Sequence, residues 1–298
     1  SVNYSMQARN QINTVDSLLF DPAILERMRN GISHNIPISH SMNVLKYFNL
    51  SSNISYSEKW YFQTFDRNWD PDMIRIVRND TIYGGVRIDT IPGFKAAREF
   101  SFSAGLSTRI YGSRQFRSGP VKAIRHVINP SLSFSYRPDF SAPAWNYFKS
   151  YYNPERKEEV MYSVFEGTLF GGPQANRSGN LAFNIGNNLE MKVRNRKDSI
   201  AGERKISLID NFSISGGYDL TRDSLRLSDI RLSGRTRLFG QFDIAYSGAF
   251  TLYDRDSTGS YVNRFIWEAG KKPFQLNNTT WSLSLNYSLG SKEQRSAG

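Results

Sequence analysis

The sequence predicts an all-β chain, an antiparallel transmembrane β-barrel in class, and three observations predict it. Bulky apolar side chains fall on every second residue in several stretches. These stretches last roughly 9–13 residues, against about 5–6 for a soluble strand and about 9–11 for a tilted strand crossing a bilayer. Polar turns separate them. Period two sends alternate residues to opposite faces. One face then wants an apolar medium, and the Ser, Asn, Asp, Thr, Gly and Arg of the other want water. A large soluble β-sandwich also alternates and is the bland alternative.

Roughly eleven strands are expected, with boundaries good to a few residues. They lie near 1–9, 32–42, 47–63, 95–112, 121–137, 178–195, 206–220, 225–239, 240–253, 261–270 and 279–290. After the first strand, Asp21-Pro22 offers an N-cap and a proline for the first helical position. Ile24, Leu25 and Met28 follow at helical spacing, and Gly31 can stop a short helix there. Strand 32–42 carries His34 and His40 on its more apolar side. Segment 64–94 reads as a long connection. In 95–112 the beat is Phe100, Phe102, Ala104, Leu106 and Ile110. Segment 138–177 is a second long connection with Pro138, Pro143, Pro154 and Pro173. Its aromatics, Trp145, Tyr147, Phe148, Tyr151 and Tyr152, point to an ordered loop packed on itself or over a barrel mouth. Leu181, Phe183 and Ile185 mark the next strand, and Arg194-Asn-Arg-Lys-Asp-Ser199 the turn after it. Residues 212–220 read Phe-Ser-Ile-Ser-Gly-Gly-Tyr-Asp-Leu. Leu238-Phe-Gly-Gln241 reads as a tight turn into Phe242, Ile244, Tyr246, Gly248, Phe250 and Leu252. Tyr253-Asp-Arg-Asp-Ser-Thr-Gly259 is another turn, and Trp281, Leu283, Leu285, Tyr287 and Leu289 close the series.

Composition narrows the function classes. Of 298 residues, 39% are hydrophobic and 14% aromatic, with 16 Tyr and 20 Phe, enough for aromatic girdles at two membrane interfaces. The mean hydropathy of −0.50 is too polar for helical spans. The absence of Cys excludes disulfides, thiol catalysis and Cys-based metal sites. No signal peptide precedes Ser1, so the expectation is that one was removed or that the chain is an internal segment. Lys+Arg number 38 against 27 Asp+Glu, a net charge of +11. The basic residues are scattered through turns and polar strand faces, with no basic helix and no RNA-binding signature. Anionic lipid head groups and phosphates are therefore expected partners in place of nucleic acid.

No residue constellation demands catalysis. The three His, at 34, 40 and 126, show no metal-ligand spacing. His126, Asn129 and Ser131 have the residue types of a lipid hydrolase, but His126 and Asn129 differ in parity. Gly84-Gly85, Gly171-Gly172-Pro173 and Gly216-Gly217 open no phosphate loop. The Asn-X-Ser triplets at Asn211 and Asn286 lie inside expected strands, so glycosylation is not expected. Catalytic residues, cofactors and metals are thus expected to be absent. Arg231, Ser233, Arg235 and Arg237 share one side of their strand; Lys192 and Arg194 follow Glu190 on the polar face of another, and Arg109 ends a third. If those faces point inward, Arg109, Lys192, Arg194, Arg231, Arg235 and Arg237 make a lumen partly basic, fit for phosphorylated or carboxylated cargo. Salt bridging with Glu190, Asp219 or Asp243 is the alternative. Pro37 and Pro130 each remove a ladder hydrogen bond; a bulge is the plain account, weakened strand pairing the functional one.

The run Ile124-Arg-His-Val-Ile-Asn-Pro-Ser-Leu-Ser-Phe-Ser-Tyr-Arg-Pro-Asp-Phe140 resembles the mid-barrel segment of the LptD family of lipopolysaccharide-assembly outer-membrane proteins, in its Bacteroidota-like form. Phe94-Lys-Ala-Ala-Arg-Glu-Phe-Ser-Phe-Ser-Ala-Gly-Leu-Ser-Thr-Arg-Ile-Tyr-Gly112, Phe165-Glu-Gly-Thr-Leu-Phe-Gly-Gly-Pro173, Asn187-Asn-Leu-Glu-Met-Lys-Val193 and Trp281-Ser-Leu-Ser-Leu-Asn-Tyr287 are similar to the same family. The resemblance spans most of the chain from about residue 45. It implies a translocon that takes lipopolysaccharide from a periplasmic bridge protein, encloses a plug lipoprotein, and opens sideways between its first and last strands. It also implies an N-terminal jellyroll and final strands with an aromatic terminus. Neither is found in 1–298, and 291–298 reads as a loop. The expectation is therefore a single incomplete domain over 1–298, a segment of a larger barrel with long extracellular loops. The family's Cys pairs are missing too, which leaves disulfide-controlled maturation without a basis.

The expected function is delivery of lipopolysaccharide to the outer leaflet of a Gram-negative outer membrane. Expected partners are lipopolysaccharide, the plug lipoprotein, the bridge protein and outer-membrane lipids. The rivals are a passive channel or substrate-import barrel, an outer-membrane lipid hydrolase, and the soluble sandwich.

Overall fold

Nearly every described residue that is not in a turn lies in a strand. The computed structural model describes residues 1–18, 21–22, 28–77, 80–194, 203–238, 242–270, 272 and 274–285. The strands are β1 (Ser5–Gln11), β2 (Arg29–Val44), β3 (Phe48–Val77), β4 (Asp80–Thr108), β5 (Ile110–Gln115), β6 (Val121–Arg137), β7 (Phe148–Asn153), β8 (Glu158–Ser163), β9 (Ser178–Arg194), β10 (Glu203–Asp219), β11 (Ile230–Leu238), β12 (Phe242–Thr251), β13 (Tyr253–Arg255), β14 (Tyr261–Phe265) and β15 (Gln275–Leu285). Eleven form one sheet in the order β1-β2-β3-β4-β6-β9-β10-β11-β12-β15, with β5 paired to β6. The hairpins β7-β8 and β13-β14 stand apart from it.

Several expectations need correction. Segment 64–94 is not a loop, because β3 (30 residues) and β4 (29 residues) run through it. At about 3.3 Å per residue each spans about 100 Å, several times a hydrocarbon core of roughly 30 Å. The pairing overrides Pro71, Pro92 and the glycines. Arg75 Nε donates to the Gly84 carbonyl at 2.6 Å, and Arg87 pairs with Asp70 and Asp89. Gly84, at φ +88°, lies under Trp69; a Cβ there would come 2.6 Å from the indole. Segment 261–270 is not a sheet strand either: β14 pairs only with β13 and runs into a 3-10 turn at Ile266–Ala269. The strand expected at 225–239 begins only at Ile230. The expected helix centres on 23–27 and the turns on 195–199 and 239–241, all outside the described residues; Gly31, its expected stop, lies in β2 opposite Arg9.

The chain divides into two compact units. The first comprises Ser1–His40, Ser52–Ser103 and Ser135–Gly179. Its core is supplied by the long 138–177 connection together with β3 and β4: Tyr61, Ala97, Phe140, Tyr147, Val164 and Phe165 are buried, with Trp145, Phe148 and Phe170 packed around them. The rings meet at tilted or edge-on angles, as between Phe140 and Trp145 or Tyr147 and Phe165. Complete burial stabilises by about 1.5–3 kcal/mol per large apolar side chain. Hydrogen bonds pin the loop: Tyr61 Oη donates to Gly171 O (2.7 Å), Tyr162 Oη donates to Asp66, and Lys149 bridges the same carboxylate at 3.3 Å. This is the ordered, self-packed connection that its aromatics predict.

The second unit comprises Ser41–Ser51, Ala104–Phe134 and residues from Asn180 onward. Its tight β2–β3 turn puts Leu45 and Lys46 at φ 51° and 64°, the left-handed pair of a primed hairpin turn. The antiparallel run β9-β10-β11-β12-β15 forms its wall. Register fixes the faces. Phe212 and Ile214 lie beside Gly234 and Leu232; these lie beside Tyr246 and Gly248, and Ile244 and Tyr246 beside Leu283 and Trp281. That apolar face is open: Trp281 is 68% and Leu283 71% exposed. A sandwich buries these positions under a second sheet, and among the described residues the other sheets are only two-stranded hairpins.

Register slips in β10 between Ser207 and Phe212, and amide side chains absorb them. Asn188 Nδ2 donates to the Ile209 and Asp210 carbonyls at 3.2 and 2.8 Å. Asn187 Nδ2 reaches Ile185 O and Phe212 O at 3.3 and 3.4 Å. A bulge leaves backbone groups unpaired, and these side-chain amides satisfy them.

Candidate functional site

The opposite face of the second unit's wall is organised as transverse rows. Cross-strand partners place Ser213, Ser233, Ser247 and Thr280 side by side on β10, β11, β12 and β15. The Ser213 and Ser233 hydroxyls share a hydrogen bond of 2.7 Å. The next row reads Asn184, Ser215, Arg231, Ala249 and Asn278, and on the other side Asn211, Arg235, Ala245 and Ser282. Every partner here is small or neutral apart from the arginines. The face is hollow. One cavity of about 430 Å³ lies between Ser131, Asn184, Ser215, Ser228, Asp229 and Arg231. A second, of about 250 Å³, is lined by Arg231, Ser233, Ser247, Asn278 and Thr280. A third, of about 450 Å³, lies at Asn129, Ser131, Asn184 and Arg109 against the 46–49 turn. On the apolar face, missing side-chain volume at Gly234 leaves a cleft of about 210 Å³ among Phe212, Ile244, Tyr246 and Trp281.

The sequence-predicted basic residues meet different fates. Arg231, Arg235 and Arg237 do share this face. Asp243, directly opposite Arg237, holds Arg237 at 2.9 Å and Arg235 at 3.3 Å. The Arg231 side chain has no ion-pair or hydrogen-bond partner among the described residues. Arg109 Nε donates to Asn129 Oδ1 at 2.9 Å. Lys192 stands opposite Lys205, which Glu190 binds at 2.8 Å, and Arg194 closes β9, its backbone N–H donating to Pro120 O. Of the alternative acid partners, Asp243 neutralises two arginines, Glu190 takes a lysine, and Asp219 takes Arg222. Pro37 and Pro130 lie within β2 and β6, which continue past both; Asn3 N–H donates to the Pro37 carbonyl at 3.1 Å.

The hydrolase constellation does not assemble. His126 shares a face with Gly112, and its Nε2 lies 3.2 Å from Asn187 Oδ1, while Asn129 binds Arg109 and Ser131 Oγ reaches the Asn184 carbonyl. His34 Nδ1 meets Tyr4 Oη at 2.9 Å and its ring lies 4.3 Å from Trp60. Among the described residues no group of three or more His, Asp or Glu side chains could hold a metal ion. No described helix is long and apolar enough to cross a membrane. The hydroxyl row is not legible in the sequence: each strand carries a Ser or Thr on its polar side, but only the register brings Ser213, Ser233, Ser247 and Thr280 together.

Residues 220–229, between β10 and β11, and 252–274, between β12 and β15, leave the same end of the wall. The longer of them carries a ring stack of Tyr253, Phe265 and Trp267 beside the buried Ile266, with Asp254 bound by Arg264. No curated protein and no solved structure matches the chain. A family model described as LptD protein matches residues 1–253. With most of the chain matched and an eleven-stranded antiparallel sheet among the described residues to go with it, the chain belongs to the LptD family of lipopolysaccharide-assembly outer-membrane proteins.

Proposed function

We propose that this chain forms part of the wall of a translocon that delivers lipopolysaccharide to the outer leaflet of the outer membrane of a Gram-negative bacterium. The saccharide head passes along the hydroxyl- and amide-lined face while the acyl chains stay with the apolar side. In this reading Arg109, Lys192, Arg194, Arg231, Arg235 and Arg237 face the lumen, and Pro37 and Pro130 loosen strand pairing. A plug lipoprotein fills the barrel and a periplasmic bridge protein supplies the cargo. The chemistry is passage, with no bond made or broken. One observation carries the reading: a single-layer wall has one openly apolar face and one hollow face of Ser, Asn and Thr, in a chain of this family.

Depletion of the full-length protein in its host tests it. Newly made lipopolysaccharide should stop reaching the cell surface and accumulate behind the outer membrane. Normal arrival after depletion would sink the proposal. Steady conductance of small solutes by the purified complete barrel, independent of any lipid-transfer partner, would favour a channel.

A further inference from the structure

The three arginines of β11 are not equivalent, and the difference points to a subsite. Arg235 and Arg237 are held by Asp243. The cross-strand partners of Arg231 are Ser215 and Ala249, neither of which can take its charge. Arg231 lines two hollows of the polar face. These hollows differ. The larger includes the Asp229 carboxylate, whose Oδ2 accepts a hydrogen bond from Asn277 at 3.0 Å. The smaller, of about 250 Å³, has no acid among its lining residues; Ser233, Ser247, Thr280 and Asn278 surround the arginine there. Ala249, the β12 partner of Arg231, adds only a methyl group to the same lining.

A guanidinium offers paired N–H donors in a planar fork that fits an oxyanion. Ser, Thr and Asn supply both donors and acceptors, which suit sugar hydroxyls. We infer that Arg231, with Ser233, Ser247, Thr280 and Asn278, forms a binding site for an anionic sugar, the oxyanion on Arg231 and the ring hydroxyls on the serine row. The inference rests on the proposed passage of a saccharide along this face. It adds a place on the wall where charge, and not only polarity, is read.

The test uses the full-length protein with its partners in proteoliposomes, and three cargoes: native lipopolysaccharide, the same material treated with phosphatase, and material with its carboxylates converted to amides. Arg231→Gln should slow delivery of native cargo about tenfold, as expected for loss of one charge-assisted contact of about 1.5 kcal/mol. Arg231→Lys should fall between Gln and wild type. Ala249→Asp, which leaves the arginine in place but sets a carboxylate beside it, should act like Arg231→Gln. The defect should vanish on the phosphatase-treated cargo if the oxyanion is a phosphate, and on the amidated cargo if it is a carboxylate. Native cargo delivered at the wild-type rate by Arg231→Gln, or a defect of equal size on all three cargoes, overturns the site. If wild type itself delivers nothing, the translocon reading fails instead, and the two failures are told apart.

Discussion

The loop at 138–177 and the wall from β9 to β15 use the same kinds of side chain to opposite ends. In the loop, Phe140 and Phe165 are fully buried, while on the wall Trp281 and Leu283 stand mostly exposed. The loop folds back on Tyr61 and Ala97 and makes its own apolar medium, with aromatics at irregular spacing. The wall leaves that medium to a bilayer, so its apolar residues must keep strict period two over whole strands. Aromatic content alone therefore says little about a membrane; the spacing of the aromatics and what covers them say a great deal.

The largest effect should come from the loop. Phe165→Ala should destabilise the first unit by about 3–5 kcal/mol, in detergent as in lipid, because the lost contacts are protein contacts. Proteolysis within 138–177 should reveal it. On the wall the effect should depend on the medium. Leu283→Arg should cost about 2–4 kcal/mol on folding into lipid vesicles if the position is near mid-bilayer, whereas Ser282→Arg, one residue away on the other face, should cost little. Equal penalties for the two would erase the distinction between the faces.

The same contrast explains what the sequence made legible. Strands at 212–219, 242–251 and 281–285 were readable because a membrane on one side and water on the other impose alternation. The outer part of the β3-β4 hairpin was not. Its faces are not divided between two media, so Asp70, Asp72, Arg75, Arg87 and Asp89 mix with Ile74, Ile76 and Tyr83 and mimic a loop. In 261–270 the strand spacing of Tyr261, Phe265 and Trp267 hides the change at Ile266, where the chain turns into a 3-10 segment that ends at Gly270 with φ 68°. The basic side of β11 could be read from parity. That Asp243 removes two of its arginines could not, since that depends on the β11–β12 register, which sets Asp243 directly opposite Arg237 and within reach of Arg235.

Intermediate effects should sharpen the wall's internal logic. Asn188→Leu leaves the Ile209 and Asp210 carbonyls without their amide donor. A loss of about 1–3 kcal/mol is expected, with faster amide exchange confined to β9 and β10. Smaller still is the hairpin turn, where Lys46→Gly removes a side chain from a left-handed position. It should stabilise by about 1 kcal/mol, measured as a shift in unfolding midpoint.

The smallest effect returns to the loop and concerns acid. Asp139 opens the 138–177 connection and clasps its far end: its Oδ1 accepts from Ser141 Oγ (2.6 Å), Ser141 N (2.8 Å) and Asn176 N (3.1 Å). The Ser141 hydroxyl first, then the two amides, hold this carboxyl below its ordinary range. A depressed carboxyl contributes order above the value it has in the open loop, about pH 4, and that contribution is lost as pH falls through the lower, closed-loop value. Amide exchange at Ser141 and Asn176, corrected for intrinsic rates, should therefore accelerate below about pH 4, while exchange at Phe165, sealed by apolar contacts, should not follow. Asp139→Asn should make exchange at those two sites insensitive to acid. If Phe165 opened with Asp139, the clasp and the core would be one cooperative unit, and the loop would owe its order to charge as much as to burial.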